Sequence, residues 1–464
     1  MQVYDAIIVG AGQAGPALAG RLTAAGQSVC LVERKRFGGT CVNTGCMPTK
    51  TLVASAYAAH LARRSEDFGV VTGPVSVDFA RVMARKDEVV DTASGNIRTW
   101  LGGMNGCTVL EGHARFLSPT TMQVGEDRIT APKIFLNVGG RAVIPDMPGI
   151  HDVPVLTNTT ILDLTDLPEH LVVVGGSYIG LEFAQMFRRF GSEVTVVEKG
   201  ERIIQREDPE ISDAIQKALE AEGVRFRLKA ECITFARRGD RIGVGVDCTE
   251  GEPEVSGTHT LLAVGRRPNT DNLDLDKAGI SVDARGSIPV DDRLQTPVPG
   301  IWALGDCNGR GAFTHTAYND FEIVADNLLA GADRKVTDRI DCYALYVDPP
   351  LGRVGMTEAQ AVAAGHRIEV GTRPMTRVGR ANEKGETLGL MKIVIDADSE
   401  AILGAAILGV GGDEAIHAVV NAMASGASAS PLQHTVHLHP TVAELIPTIV
   451  GERTPQRGPL PGAV

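Results

Sequence analysis

The chain has 464 residues, 43% of them hydrophobic and 22% charged, and it carries a net charge of −12 at pH 7. This length predicts about two to four domains, and the acidic balance argues against nucleic acid or an anionic membrane as a partner, because both bind clustered lysine and arginine. The sequence shows neither a signal peptide nor an apolar run near the ~20 residues of a membrane span, and its eight cysteines are too few for a secreted disulfide scaffold, so we expect a cytoplasmic protein.

The first predicted element is a strand over residues 4–9, which leads into a glycine turn and then a helical pattern. A second predicted strand ends at Glu33. The turn contains three spaced glycines, Gly10, Gly12 and Gly15. The first permits a tight turn, the second lets backbone approach a pyrophosphate, and the third lets the helix pack on the strand. With an acid placed to accept hydrogen bonds from a ribose, this unit predicts a dinucleotide site.

Residues 38–50 follow the second strand and read GGTCVNTGCMPTK, with Cys41 and Cys46 five positions apart. On an ideal helix, such a spacing puts the two Cα atoms about 8 to 9 Å apart, whereas a disulfide needs about 4.4 to 6.8 Å. If the two cysteines bond, the backbone between them must therefore leave regular helix, and Gly45 would allow this. Pro48 suits the opening turn of the next helix. In a cytoplasmic protein, such a pair is more often catalytic or metal-binding than structural.

The glycine unit then recurs. A strand predicted over residues 171–174 leads into a turn bounded by Gly175 and Gly180, and the strand after the next helical segment ends at Glu198. In both units the acid lies 23 residues after the first glycine of the turn. Two matched units predict two dinucleotide-binding domains.

The remaining elements are less specific. Residues 54–104 predict helices, and residues 300–309 predict a buried strand ending at Asp306, which could either bond a cofactor's polyol or cap an ordinary turn. From residue 343 onward there is no dinucleotide motif, which predicts a separate domain. The Pro- and Gly-rich residues 452–464 predict disorder.

Two dinucleotide sites and a redox-capable cysteine pair together indicate an electron relay. Nicotinamide would supply a hydride, a second cofactor would take its two electrons, and the cysteine pair would pass them on. A flavin can serve both halves of this transfer, and FAD is the flavin whose pyrophosphate fits a Rossmann turn.

The sequence resembles the FAD-dependent pyridine nucleotide-disulfide oxidoreductases, the group that contains dihydrolipoamide dehydrogenase, glutathione reductase and mercuric reductase. The resemblance covers essentially the whole chain and rests on GGTCVNTGCMPTK, the two glycine units, ALGD and the C-terminal HPTVAE. Within the group, the chain is similar to mercuric-reductase-like and reactive-chlorine-resistance flavoproteins.

The resemblance implies an α/β fold with two Rossmann-type dinucleotide-binding domains and a C-terminal α+β dimerisation domain. The expected division is an FAD-binding domain over residues 1–149, an NAD(P)-binding domain over 150–281, a central segment over 282–342 that completes the FAD site, and a dimerisation domain over 343–464.

The resemblance also implies catalytic roles. Cys41 would be the interchange thiol that attacks the substrate, and Cys46 the charge-transfer thiol that contacts the flavin. Lys50 would lie near flavin N5 and pair with Glu182.

A second implied pair is His439 with Glu444, a base and its orienting acid. In the family such a pair reaches the disulfide of the other subunit, which makes a homodimer obligatory, and it can move protons to and from Cys41. His434 and His437 lie close enough to His439 in sequence to suggest a metal site instead, but their spacing fits no helical face, so no metal site is expected.

The expected cofactor-binding residues are Gly10, Gly12, Gly15, Glu33, Thr40, Lys50, Gly112, Ala114, Gly139, Asp306, His315, Gly175, Gly180, Glu198 and Gly265. Among these, Glu198 bears on the nicotinamide cofactor. A carboxylate there bonds a free ribose 2′-hydroxyl and repels a 2′-phosphate, which favours NADH, while the neighbouring Lys199 and Arg202 could admit NADPH.

Three functions remain open. The first is reduction of a small-molecule disulfide or other thiol-reactive substrate, and the second is reduction of Cu(II), Hg(II), a quinone or oxygen. The third is a redox sensor that does not turn over. Mercuric reductases of the well-known type end in a cysteine pair, whereas this chain has no cysteine after Cys342 and has the His-Pro and Glu pair, so specific Hg(II) reduction is not expected.

Overall fold

The computed structural model describes residues 1–247 and 252–456, in which α/β elements precede a C-terminal α+β part. Its strands, in chain order, are β1 (Gln2–Val3), β2 (Ala6–Val9), β3 (Val29–Glu33), β4 (Cys107–Glu111), β5 (Ala114–Ser118), β6 (Thr121–Val124), β7 (Asp127–Thr130), β8 (Ile134–Leu136), β9 (Gly140–Ala142), β10 (His170–Val174), β11 (Glu193–Val197), β12 (Val224–Arg227), β13 (Glu231–Arg238), β14 (Arg241–Asp247), β15 (Glu254–Gly257), β16 (His259–Leu262), β17 (Arg266–Pro268), β18 (Ile301–Ala303), β19 (Cys342–Leu345), β20 (Leu351–Gly355), β21 (Ile368–Pro374), β22 (Leu390–Asp396), β23 (Ile402–Leu408) and β24 (Thr454–Pro455).

The α-helices, in the same order, are α1 (Gly15–Ala24), α2 (Gly39–Thr44), α3 (Cys46–Arg63), α4 (Phe79–Gly102), α5 (Tyr178–Phe190), α6 (Pro209–Ala221), α7 (Thr314–Leu329), α8 (Glu358–Ala363), α9 (Gly379–Glu383), α10 (Gly412–Ala415), α11 (His417–Ala424), α12 (Ala429–His434) and α13 (Ile446–Gly451). Within the described ranges, none of them combines the length and the apolarity that crossing a membrane requires.

The first sheet has five parallel strands in the order β18-β8-β2-β3-β4. Apolar side chains of α1 and α7, such as Leu18 and Phe321, pack in the same buried cluster as the residues of β2 and β3. Strand β18 comes from the predicted central segment and pairs with β8. The carboxyl ends of parallel strands meet at one edge, so the first glycine turn, Glu33 and Asp306 all lie along it.

The second sheet repeats this arrangement with four parallel strands in the order β12-β11-β10-β16. Helix α5 follows β10, and its phenylalanines at 183, 187 and 190 are buried together with Phe79 of α4. This aromatic contact fixes α5 against the helices that follow the cysteine segment. It thereby brings the second dinucleotide unit next to the cysteines.

The last sheet is antiparallel and has six strands in the order β19-β20-β23-β22-β21-β24. Helices α11, α12 and α13 bury apolar side chains against it. The edge strand β24 pairs with β21, with Thr454 opposite Val370 and Pro455 opposite Glu369. The prediction of disorder over residues 452–464 is therefore wrong for these two residues, because their backbone extends the sheet; residues 457–464 lie outside the described residues.

Buried charges join the second sheet to this last one. Arg353 of β20 and Lys392 of β22 are each 1% exposed, and both lie against Asp208, at 3.2 and 3.4 Å. Arg353 also faces Glu207, with Nε 3.4 Å from Oε2. Buried charges need partners, so this cluster fixes the start of α6 against the antiparallel sheet.

Candidate active site

Both glycine turns are too tight for any other residue. A Cβ added to Gly10 would lie 2.2 Å from the carbonyl oxygen of Asn137, and one added to Gly175 would lie 2.4 Å from that of Ala263. A Cβ on Gly15 or Gly180 would lie 2.1 Å from the carbonyl oxygen of the first glycine of its own turn. The two turns therefore repeat one backbone geometry, in which helix packs directly on strand.

The acids that follow these turns also repeat. The Glu33 carboxylate accepts hydrogen bonds from the backbone N–H of Ala11 at 2.8 Å and of Lys35 at 2.8 Å. The Glu198 carboxylate accepts from Gly176 at 2.7 Å and from Gly200 at 2.8 Å. Each acid thus braces its own turn, and because a carboxylate has about four acceptor positions, each can still accept from a ribose hydroxyl.

A cavity of about 2180 Å³ runs along both turns and past the two cysteines. This exceeds the about 300–1,000 Å³ of a pocket for one small ligand, so it has room for two dinucleotides. The predicted site residues that line it are Gly10, Gly12, Glu33, Thr40, Cys41, Cys46, Lys50, Gly112, Ala114, Gly139, Gly175, Glu182, Glu198, Gly265, Asp306 and His315.

Four predicted residues do not line this cavity. Gly15 and Gly180 lie behind the turns, where they allow the close packing of helix on strand. His439 and Glu444 lie elsewhere in the chain, so one chain alone does not bring them to the cysteines. The residues that do line the cavity fit FAD at the first turn: the turn leaves the helix start free for a pyrophosphate, Glu33 would accept from a ribose hydroxyl, and Asp306 would accept from the polyol. Burial raises the pKa of Asp306, and the Arg266 guanidinium, 3.7 Å away, opposes this.

The cysteines lie at a break between two helices, as the spacing predicted. Helix α2 ends at Thr44 and α3 begins at Cys46, with Gly45 between them at φ −140° and ψ −119°. A Cβ on Gly45 would lie 2.9 Å from the Thr40 carbonyl oxygen, so glycine is required there. Cys46 consequently stands at the amino end of α3, where the helix dipole favours a thiolate.

The two thiols differ in their acidity. A hydrogen bond from the Cys41 thiol lowers the pKa of Cys46 to about 6, and the Thr314 hydroxyl and the Lys50 charge act in the same direction against burial. The Thr314 Oγ1 lies 3.3 Å from the Cys46 Sγ. The same hydrogen bond, together with burial, raises the pKa of Cys41. Within one chain the reduced pair therefore carries its negative charge on Cys46, and Cys41 keeps the proton.

Lys50 and Glu182 form an ion pair beside this thiolate. The Lys50 Nζ donates to both Glu182 carboxylate oxygens, at 2.9 and 2.7 Å, and lies 4.6 Å from the centroid of the Tyr346 ring. The Tyr346 backbone N–H donates to the same carboxylate at 3.1 Å. Glu182 is buried, so its charge holds the ammonium group in place at the cavity wall.

His439 and Glu444 form the second expected contact. The imidazole Nδ1 lies 2.9 Å from the Glu444 Oε2, and Thr441 accepts a hydrogen bond from the Glu444 N–H at 3.2 Å. The His439 side chain is 80% exposed, beside the exposed Leu438 and Val436. In the part of the chain that the structure describes, no group of three or more His, Cys, Asp or Glu side chains is arranged to hold a metal ion.

The sequence did not predict two polar residues of the site. Thr314, the first residue of α7, contacts Cys46. Asn137 follows β8, accepts from the Gly15 N–H at 3.1 Å and donates to the Leu304 carbonyl oxygen at 3.1 Å, which ties the turn to β18. A polar residue directly after the buried run IFL was the available signal for Asn137, whereas nothing local marks Thr314.

Residues 4–320 match the family described as pyridine nucleotide-disulphide oxidoreductase, and residues 342–450 match the dimerisation domain of that family. The chain belongs to this family. The predicted family and fold class are thereby confirmed.

Curated relatives agree over nearly the whole chain. The probable pyridine nucleotide-disulfide oxidoreductase RclA of Escherichia coli (strain K12) is 37% identical over 452 residues, which are 96% of this chain and 98% of that protein. A dihydrolipoyl dehydrogenase of Thermus scotoductus is 34% identical over 448 residues, 96% of each chain. A mercuric reductase of Bacillus cereus is 33% identical over 441 residues, 95% of this chain and 70% of that one.

Among solved structures, the Cu(II) complex of the HOCl-induced flavoprotein disulfide reductase RclA from Escherichia coli has a TM-score of 0.88 and 36% sequence identity, and covers 97% of this chain and 99% of its own. The protein is therefore an FAD-dependent oxidoreductase that uses a pyridine nucleotide and acts through a disulfide, and it carries the family's dimerisation domain.

Proposed function

We propose that this enzyme reduces a small disulfide or another thiol-reactive molecule at Cys41, while Cys46 holds the resting thiolate. The observation that supports this most strongly is the unequal acidity of the pair, in which the Cys46 pKa is about 6 and that of Cys41 is raised. FAD, held at the first glycine turn, would supply the two-electron link between a pyridine nucleotide and the cysteines.

The exchange steps follow from this arrangement. Cys41 loses its proton to a base and attacks one substrate sulfur, which forms a mixed disulfide and releases the other sulfur as a thiolate that takes up a proton. The Cys46 thiolate then attacks the Cys41 sulfur, which forms the Cys41–Cys46 disulfide and releases the second substrate thiolate. Until the Cys46 thiolate attacks the mixed disulfide, the Lys50 charge offsets the negative charge at Cys46.

The base is His439 from a second copy of the chain. The histidines that line the cavity within the described residues, His113 and His315, have their Nε2 atoms bonded to the carbonyl oxygens of Asn272 and Cys342. His439, by contrast, is exposed and oriented by Glu444. A carboxylate at Nδ1 fixes the ring so that Nε2 can exchange the proton. The enzyme is then a homodimer with shared active sites, divided into domains at residues 149, 281 and 342 as the sequence predicts.

NADH is the proposed electron donor. The Glu198 carboxylate lies at the end of β11, where it can bond a ribose 2′-hydroxyl and would repel a 2′-phosphate. The cytoplasmic location predicted from the sequence stays a prediction.

Reduction of a metal ion is the second candidate. Relatives named mercuric reductase, and a related structure titled as a Cu(II) complex, favour it. Thiolates are soft ligands that suit such ions, and Cys46 is exposed to the cavity.

Turnover with NADH separates the two candidates. Lipoamide, glutathione disulfide, Cu(II) and Hg(II) should be compared in the wild type, Cys41→Ser and His439→Ala. Loss of disulfide turnover in His439→Ala with metal reduction retained supports the first proposal, because only thiol exchange needs a base. Turnover of metal ions alone in the wild type would overturn it.

A further inference from the structure

Arg206 lies in the segment between β11 and α6, on the wall of the cavity. Its guanidinium carbon is 4.2 Å from the centroid of the Tyr178 ring and 4.2 Å from that of Tyr343. The Phe313 ring lies 5.7 Å away. The cation therefore lies over two neighbouring tyrosine rings, whose own centroids are 5.5 Å apart, and cation–π attraction to both rings restricts its position.

The next residue in the chain, Glu207, holds the same two tyrosines. Its carboxylate accepts from the Tyr343 hydroxyl at 2.5 Å and from the Tyr178 hydroxyl at 3.3 Å. Burial, together with the charge of Glu207, raises the pKa of Tyr343 to about 12. It raises the pKa of Tyr178 as well. Both hydroxyls thus remain donors at neutral pH. Their bonds to Glu207 hold the two tyrosine rings beside Arg206 in place.

The arginine itself keeps most of its donors free. Its Nε donates to the Tyr178 hydroxyl, but across residues 1–247 and 252–456 neither Nη atom makes a hydrogen bond and no carboxylate lies within 4 Å in an ion pair. Glu207, the adjacent acid, is occupied by the tyrosines and Arg353 instead. A guanidinium that is oriented, exposed to the cavity and unpaired suits an oxyanion with two acceptor atoms.

The position of this cation identifies the oxyanion. Tyr178 is the first residue of α5, the helix that follows the second glycine turn, and phosphates bind at such helix starts. One turn further along α5 on the same face is Glu182, which pairs with Lys50 beside the cysteines. Glu198, which marks the adenosine end, contacts Gly176, two residues before Tyr178 in the same turn.

We propose that Arg206 binds the pyrophosphate of the pyridine dinucleotide at the phosphate nearer the nicotinamide. Tyr343 of the dimerisation domain would hold the guanidinium in position for this contact. Phe313 supports this assignment, because it directly precedes Thr314, which contacts Cys46. A cation at this point would also hold the nicotinamide end on the side of the cavity where Glu182 and Lys50 lie.

Binding to the oxidised enzyme tests the proposal without turnover. Titration calorimetry should compare NAD⁺, ADP-ribose, nicotinamide mononucleotide, AMP and 2′-phospho-AMP as ligands of the wild type and of Arg206→Gln. We expect the Kd of the first three to rise about tenfold or more, as loss of a charged hydrogen bond implies, and the Kd of the two adenosine nucleotides to stay unchanged. The salt dependence of NAD⁺ binding should weaken in the same variant.

Arg225→Gln is the matched control, since Arg225 lies on β12 of the second sheet, does not line the cavity and pairs with Glu193 at the surface. Unchanged affinity of Arg206→Gln for every ligand would overturn the proposal, and so would a loss confined to 2′-phospho-AMP, which would place the arginine at the adenosine end. Should this variant not fold with its flavin, phenylglyoxal labelling of the wild type decides instead. NAD⁺ and nicotinamide mononucleotide, but not AMP, should slow modification of Arg206 while leaving Arg225 unaffected, and absence of this protection would refute the assignment.

Discussion

The dependence of alkylation on pH tests the thiolate at Cys46. Its pKa of about 6, against an ordinary value of 9.0, means that about nine-tenths of the reduced enzyme carries the thiolate at pH 7, compared with about one-hundredth for an unperturbed thiol. The rate of Cys46 alkylation should therefore rise with pH, reach half its maximum near pH 6 and be nearly flat above neutrality. In His439→Ala, which lacks the proposed base, Cys41, whose pKa is raised within one chain, should react slowly over the same range.

The causes of the shift can be separated by substitution. Cys41→Ala removes the hydrogen bond that contributes most and should move the midpoint upward the furthest, followed by Thr314→Val and then Lys50→Met. For the lysine we expect a rise of roughly one pH unit, at the low end of what an adjacent opposite charge produces. Thr99→Val, on the exposed side of α4, serves as the control for the threonine and should leave the midpoint in place.

The assay uses enzyme reduced with a phosphine, which is then removed before brief exposure to iodoacetamide from pH 4.5 to 9.5. Peptide fragmentation distinguishes Cys41 from Cys46, which share one tryptic peptide. A wild-type midpoint at or above about pH 8.5, the ordinary range of a cysteine, would refute the electrostatic reasoning. A midpoint near 6 that Lys50→Met and Thr314→Val both leave unchanged would refute the causes assigned to it.

Three further substitutions have defined outcomes. Heterodimers of one Cys41→Ser and one His439→Ala subunit should keep about half of the wild-type disulfide turnover, because one of their two shared sites is intact, and activity near zero would contradict a site built from two chains. Glu198→Gln should raise the ratio of kcat/KM for NADPH over NADH about tenfold by removing repulsion of the 2′-phosphate, and an unchanged ratio would exclude Glu198 as the discriminator. Arg353→Met leaves buried carboxylates unpaired and should lower the free energy of unfolding in urea by about 3–5 kcal/mol, whereas Arg367→Met, at an exposed pair, should leave it almost unchanged.

Local sequence patterns were sufficient to predict those features of the site that depend on residues close together in the sequence. The two glycine turns could be predicted because their clashes involve the turn itself and the strand beside it. The break at Gly45 could be predicted because a disulfide between cysteines five positions apart cannot form across a regular helix. The contact of His439 with Glu444 also spans only five positions. The ion pair of Lys50 with Glu182, by contrast, could be named in advance only from the family resemblance, since 132 positions separate the two residues.

Contacts set by topology could not be predicted in this way. Thr314 reaches Cys46 across 268 positions because α7 packs below the first sheet, and Arg206 is stacked against Tyr343 only because the antiparallel sheet meets the start of α6. Composition misled at the C-terminus for a related reason. Proline and glycine content reports local flexibility, but the edge of β21 offers unpaired backbone groups that Thr454 and Pro455 satisfy.

The unequal thiols also bear on why the chain has a dimerisation domain. Everything that stabilises negative charge at the pair, namely the start of α3, Lys50 and the Thr314 hydroxyl, acts on Cys46. Cys41, the proposed attacking sulfur, is therefore protonated and unreactive until a base is supplied. Because His439 carries its carboxylate partner on an exposed surface of the same chain, pairing of two chains is the step that would activate Cys41, and a monomeric variant should retain the Cys46 thiolate while losing disulfide exchange.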